Sequence, residues 1–281
     1  MRPVLFEIFG YGIPGYGVMA AAGIVAGLIV SALLARRAGI GADFVLDAVF
    51  WMAIAGFAGA RALYLCVTWR ATLNDPLGSL ISGGGGVFIG GMAAGAAMLW
   101  VMCKRLSVGF LRMADIFAPG LSLAHVFGRI GCLLAGCCYG AVAPRWAAGC
   151  AISFPRITGA RGQIIGSWPF LDEMSRGWIA PDAACSLPLW PVQIIEAVLN
   201  LALFCALMLL WRRRMASGRI FAAYIAGYAF LRFGVEFLRG DADRGIIAGL
   251  SLSQWLCVAA LGAAAWIWRR TTVAQSPTAD C

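Results

Sequence analysis

Seven apolar runs of about 17 to 26 residues follow one another along the chain: roughly Tyr16 to Ala35, Phe44 to Val67, Val87 to Cys103, Leu111 to Gly136, Trp190 to Trp211, Ile220 to Arg239 and Leu250 to Trp268. A helix rising about 1.5 Å per residue crosses a hydrocarbon layer of about 30 Å in ~20 residues, so each run has the length of a transmembrane helix. The runs are continuous and rich in Ala, Leu and Gly rather than alternating, which selects helices over a closed barrel. The pattern predicts an all-α polytopic membrane protein with seven transmembrane helices in a single membrane domain, residues 1–281.

The segments between runs alternate in character. Arg36/Arg37, Lys104/Arg105/Arg112, Arg212/Arg213/Arg214/Arg219 and Arg269/Arg270 fall on one side, whereas the opposite segments carry acids beside their arginines, as in Asp241, Asp243 and Arg244. Basic clusters stay in the cytoplasm, which puts the N-terminus outside and the C-terminus inside. One long segment, residues 137–189, is rich in Pro, Gly, Trp and mixed charge; it reads as an external cap between the fourth and fifth helices. The run Gly83-Gly84-Gly85-Gly86 reads either as a linker or as a close approach of backbone to a ligand. Met1 to Tyr11 lacks a basic start and a small-residue cleavage site, so no removable signal peptide is expected.

Composition agrees with a membrane class: 281 residues, 62% hydrophobic and only 12% charged. The formal charge of +9 is explained by topology and calls for no nucleic-acid partner, since the arginines lie between apolar runs and form no basic stripe. No cofactor is expected. The single histidine excludes a multi-histidine metal site, and adjacent Cys137-Cys138 is not the spacing of a structural zinc centre, so no metal is expected. Of the ten cysteines, Cys137, Cys138, Cys150 and Cys185 fall outside, where one or two disulfides are the plain expectation and reactive thiols the second; Cys66, Cys103, Cys205 and Cys257 are expected to pack.

Inside the runs sit Asp47, Arg61, Asp115, His125, Arg129, Glu196, Arg232 and Glu236. A charge at mid-bilayer costs roughly 2.5 to 3.5 kcal/mol on insertion scales, so groups this numerous need partners or a purpose. The topology puts Tyr16, Arg61, Arg129, Glu196, Arg232 and Glu236 in the outer half, converging from five helices, and Asp47 and Asp115 in the inner half. Arg232 and Glu236 are spaced i, i+4 with Arg239 beyond them, so the three are expected along one helix face. Glu236 reads equally as half of a structural ion pair. Arg129 and Arg232 point to a ligand, because a guanidinium presents a fixed fork suited to phosphate and does not lose its proton. His125, one turn before Arg129, is by pattern alone more often a core residue than a base.

These residues resemble a family, the bacterial prolipoprotein diacylglyceryl transferases. Gly128-Arg129-Ile130-Gly131, followed by Gly136 and Tyr139-Gly140, is similar to the family signature. Tyr228, Arg232, Glu236 and Arg239 are similar to its sixth-helix pattern, and Pro191, Gln193, Glu196 and Ala197 to its fifth. Tyr16-Gly17 resembles the opening of the first helix, with weaker matches at Gly59-Ala60-Arg61, Tyr64, Ser251 and Gln254.

The resemblance implies a multi-pass enzyme of the bacterial inner membrane with its active region facing the periplasm. It implies two partners, phosphatidylglycerol and the lipobox-containing signal peptide of a prolipoprotein. The implied reaction transfers diacylglyceryl to the lipobox cysteine thiol and releases glycerol phosphate. On that reading Arg129, Arg232, His125 and Tyr16 are catalytic candidates. Arg129, Arg232, Glu236, Arg239, Tyr228, Arg61, Glu196, Gly128, Gly131 and Gly140 are candidates for substrate binding.

The chain departs from the family at Ile89-Gly90-Gly91, where a histidine is usual before the glycines, and at Cys132, where Asn is usual. Cys137-Cys138 stand in place of Glu-Leu, and Trp190 and Ile195 in place of His and Tyr. It reads as a divergent member, in which His125 becomes a candidate base and Cys132, Cys137 and Cys138 candidate reactive thiols. The alternatives are a related phosphatidylglycerol-using transferase with another acceptor, and a non-catalytic lipid-binding or thiol-redox membrane protein.

Overall fold

The computed structural model describes residues 4–8, 11–81, 86–158, 164–240 and 245–273. Gly83, Gly84 and Gly85 of the glycine run, and Asp241, Asp243 and Arg244, lie outside the described residues. In order the elements are β1 (Val4–Ile8), β2 (Tyr11–Pro14), α1 (Gly15–Arg37), α2 (Ala42–Val67), α3 (Trp69–Asn74), α4 (Pro76–Ile81), α5 (Phe88–Arg105) and α6 (Phe110–Ala135). There follow β3 (Ile157–Thr158), β4 (Ile164–Gly166), α7 (Trp168–Ser175), α8 (Val192–Arg212), α9 (Arg219–Val235), β5 (Ile246–Ile247), β6 (Leu250–Ser251) and α10 (Leu252–Val273).

Each apolar run coincides with a long helix. Five helical segments among the described residues are long and apolar enough to cross a membrane, namely Gly15–Arg37, Ala42–Val67, Phe110–Ala135, Val192–Arg212 and Arg219–Leu238. Large apolar side chains stand outward on them, with Phe57 78% and Phe230 74% exposed, as lipid-facing residues must. The chain is a helical membrane protein.

Two features differ from the sequence pattern. The chain enters α1 through an antiparallel hairpin that the apolar pattern did not single out, with Phe6 opposite Ile13 and Glu7 opposite Gly12. The sixth run does not stay helical to Arg239: α9 ends at Val235, Glu236–Leu238 forms one 3-10 turn, and Arg239 is extended at φ −80°, ψ 144°. Arg239 bridges to Gly140 in antiparallel fashion, with the Ala141 N–H donating to the Leu238 carbonyl at 2.8 Å. The cap thus pairs with the backbone on either side of Arg239, the Gly240 N–H donating to the Tyr139 carbonyl at 3.3 Å.

The chain divides into two compact units, Met1–Gly27 with Phe117–Cys281, and Leu28–Ile116. In the smaller unit α2 packs on α5 through glycines: a Cβ added at Gly90 would stand 2.5 Å from the Gly59 carbonyl oxygen and 2.6 Å from Leu63 Cβ. Gly91 faces the Gly56 carbonyl in the same way. Small residues let backbones approach where the lipid gives helices no hydrophobic reason to associate. Asp43 and Asp47 fall in the first two turns of α2, where the helix dipole favours carboxylates, which accounts for the exposed Asp47.

In the larger unit Gly23 and Gly27 of α1 serve the same purpose against α6, meeting the carbonyls of Ala124 and Gly120. Tyr224, Ile220, Leu207 and Ala118 form a buried cluster joining α6, α8 and α9. In the described part of the expected cap segment, buried Tyr139, Phe154 and Leu189 cluster with Leu133 and Ile152 packed against them. Paired hydrogen bonds of 3.0 and 2.9 Å between Ile152 and Leu189 hold the segment's two limbs together. Tyr139 donates to Asp172 at 2.6 Å, and Asp172 pairs with Arg176 at 2.8 Å.

Candidate active site

Three helices of the larger unit bring four charges into one chain. Glu196, in the second turn of α8, lies between two guanidiniums: Arg129 of α6 pairs with its Oε2 through Nε, and Arg232 of α9 reaches its Oε1 through Nη1 at 3.1 Å. Arg232 then turns its other nitrogen, Nη2, to Glu236 at 2.7 Å. The side chains of both carboxylates are only 4–5% exposed and those of the two arginines 16–19%. Two positive and two negative charges cancel, which is what makes the group tolerable inside a membrane.

The i, i+4 spacing of Arg232 and Glu236 survives because the 3-10 turn begins at Glu236 itself, after the pair is in register. Asn200, one turn after Glu196, donates to the Glu196 carbonyl at 2.8 Å, and its own carbonyl accepts from Ser122 of α6 at 2.9 Å. That bond fastens α8 to α6 beside the ladder. A small cavity opens between Glu196, Asn200, Tyr228 and Arg232, and the Asn200 side-chain oxygen there is buried with no hydrogen-bond partner among the described residues. Asn200 escaped notice in the sequence, although a polar residue one turn from a buried carboxylate was its signal.

His125 lies one turn from Arg129 and stacks on Tyr228 at 4.8 Å between ring centres. Its Nδ1 is 3.5 Å from the Tyr224 hydroxyl, and Tyr224 in turn stacks on Tyr228 at 6.1 Å. The lone histidine is thus held by two tyrosines of α9, of which Tyr224 was not singled out by the sequence.

The remaining candidates separate into groups. Tyr16, at the start of α1 and 48% exposed, packs its ring where a Cβ on Gly131 would stand 3.1 Å from it, and lies within electrostatic reach of Arg129. Gly140 leaves no room for a side chain, with Val192 2.9 Å from its virtual Cβ, whereas Gly128 has open space. Arg239 joins the site from its bridge with Gly140 and not from a helix face. Arg61 belongs to the smaller unit, where its guanidinium donates to the Ser79 carbonyl and sits 5.4 Å from the centre of the Tyr64 ring.

The described cysteines, nine of them, are all free thiols, so the external disulfides expected from the sequence are not formed. Three of them gather instead: the sulfurs of Cys132, Cys137 and Cys138 all lie within 4.8 Å of one another. Beside them Gln193 donates to the Cys137 carbonyl at 2.9 Å. The Cys137 thiol donates to the Cys132 carbonyl at 3.8 Å, and the closeness of the Cys132 and Cys137 thiols favours the thiolate of Cys138, with Arg239 and Arg129 adding to the effect.

Comparison with known proteins bears on this arrangement. The family described as prolipoprotein diacylglyceryl transferase matches residues 3–270. A phosphatidylglycerol--prolipoprotein diacylglyceryl transferase of Clostridium tetani is 35% identical over 258 residues, covering 91% of this chain and 92% of that protein. A second, from Clostridium perfringens, is 34% identical over 261 residues, 92% of this chain and 91% of that protein. One from Finegoldia magna is 28% identical over 263 residues, covering 92% and 91%.

Proposed function

The chain belongs to the prolipoprotein diacylglyceryl transferase family, and on that premise we propose that it transfers diacylglyceryl from phosphatidylglycerol to the thiol of a prolipoprotein cysteine, releasing glycerol phosphate. The observation that carries the reading is the bridge Arg129–Glu196–Arg232 at the heart of the match. Arg129 meets Glu196 through Nε, which leaves its Nη edge for the lipid phosphate. Arg232, held by two carboxylates, completes the positive wall.

The reaction forms a C–S bond and breaks the bond between the same glycerol carbon and a phosphate oxygen. The electron pair stays on that oxygen, where the two guanidiniums stabilise it as charge develops. Glu196 acts through the arginines: it fixes both forks before substrate arrives, so no reorganisation is needed at the moment of bond breaking. The thiol proton goes to a base, a role given to His125, with Tyr224 and Tyr228 setting its ring. Tyr16, beside Gly131, stands at the entrance with Arg129.

In this reading the protein spans the bacterial inner membrane seven times, α5 and α10 included, with the N-terminus and the cap on the periplasmic side. Basic residues in the last turns of α1, α5, α8 and α10 support that orientation. The lipobox peptide then approaches from the outer leaflet.

The test uses purified protein in phosphatidylglycerol nanodiscs with a lipobox peptide bearing cysteine or serine. Label passing from the lipid to the cysteine peptide alone is the expected result. Consumption of phosphatidylglycerol without peptide labelling overturns the acceptor and favours a different one.

A further inference from the structure

The three gathered thiols play no part in the reaction just described, and the way the backbone assembles them is unusual. α6 ends at Ala135, Gly136 takes the left-handed conformation at φ 70°, and the Cys137 N–H returns to the Cys132 carbonyl at 3.1 Å. That i to i−5 bond around a left-handed glycine is a Schellman turn, whose geometry brings the residue after the glycine against the one five positions earlier. An apolar pair normally occupies those two places; here both are cysteines. Cys138, next in line, is itself left-handed at φ 53°, a conformation a non-glycine residue adopts at a cost of about 1–3 kcal/mol. The result is a third sulfur beside the first two.

We propose that Cys132, Cys137 and Cys138 form a three-thiolate site for a soft thiophilic cation of the Cu(I) type. Sulfurs this close suit one metal ion bound to all three, and thiolates select soft metals over Mg(II) or Ca(II). The described surroundings add no histidine or carboxylate to the cluster. Structural zinc takes four ligands, so a set of three thiolates favours a cation content with three. Binding replaces the thiol protons, which leave to solvent, and the negative charge of the thiolate complex is offset by Arg129 and Arg239 nearby. Cys132 is buried and the other two are half-buried, which shields the complex yet leaves a way in.

The experiment titrates the full-length protein in nanodiscs, kept reduced, with Cu(I) delivered as its bicinchoninate complex. Wild type is expected to take one equivalent at least about 100-fold more tightly than C137S/C138S, while C150S/C185S, altered at two exposed cap thiols, keeps that equivalent. Equal uptake by wild type and C137S/C138S overturns the site. X-ray absorption on wild-type protein loaded with one Cu(I) needs no variant: three sulfur neighbours are expected, and two, or nitrogen and oxygen neighbours, overturn it. Intact-mass analysis of protein isolated without reductant provides a third reading, in which a disulfide within Cys132, Cys137 and Cys138 in most molecules overturns the proposal in favour of a redox pair.

Discussion

Two regions of the molecule solve the same problem, holding helices together in lipid, by opposite means. In the smaller unit α2 and α5 meet on glycine, with Gly59 and Gly90 backbone to backbone. In the larger unit α6, α8 and α9 meet around Arg129, Glu196, Arg232 and Glu236, paired guanidinium and carboxyl side chains largely withdrawn from water. Close packing of small residues is the cheaper device, and a hydrophobic replacement of a buried ion pair is often as stable. A ladder of charges where glycine would have sufficed is therefore expected to serve chemistry, and the two seams should respond differently when broken.

The largest effect is expected from Glu196→Leu. It leaves two buried guanidiniums without their shared counter-ion, which should cost about 3–5 kcal/mol and abolish transfer, as read by thermal unfolding in nanodiscs and by the peptide-labelling assay. A variant unfolding at the wild-type temperature would show that the ladder does not bear on stability.

His125→Ala sharpens the contrast from the chemical side. It should lower transfer by about 10²–10⁴-fold while phosphatidylglycerol binding and unfolding temperature hold, as general-base loss requires. Undiminished turnover would assign the proton to another group. Next comes Arg232→Lys, which keeps the charge and loses the fork that reaches Glu196 and Glu236 together. A loss of roughly 1.5–3 kcal/mol, about 10–150-fold in kcat/KM, is expected, because one ammonium cannot reproduce both charged hydrogen bonds.

In the glycine seam Gly90→Val should lower stability by about 1–3 kcal/mol through overpacking against Leu63, while folded molecules still bind phosphatidylglycerol. The smallest effect concerns the cap. Burial raises the carboxyl of Glu173 above its usual range, against the opposing hydrogen bond from the Leu187 N–H at 2.8 Å. A raised folded-state pKa means the folded form holds the proton longer, so stability falls as pH rises from the ordinary glutamate value through the raised one. Glu173→Gln should flatten that slope in unfolding curves measured across acidic pH.

The spacing of apolar runs placed the long helices among the described residues within a few residues, five of them long and apolar enough to cross a membrane, since the thickness of the hydrocarbon dictates the length of a span before any tertiary contact forms. Buried charges were legible for a related reason: Arg129, Glu196, Arg232 and Glu236 are conspicuous because lipid makes each of them costly. Their pairing was not legible. Arg129 and Glu196 are separated by the whole cap, and only the crossing of α6 and α8 brings them together. Asn200 and Tyr224 were missed because a lone amide or phenol in an apolar run becomes informative once its partner is known. Arg239 was misread as helical because local periodicity ran on past Val235, and it was backbone pairing with Gly140 that ended the helix. The thiol cluster shows the same division. Sequence alone set three cysteines within seven residues; one left-handed turn at Gly136 decided that their sulfurs meet, because backbone direction at a helix end depends on a single φ that composition does not reveal.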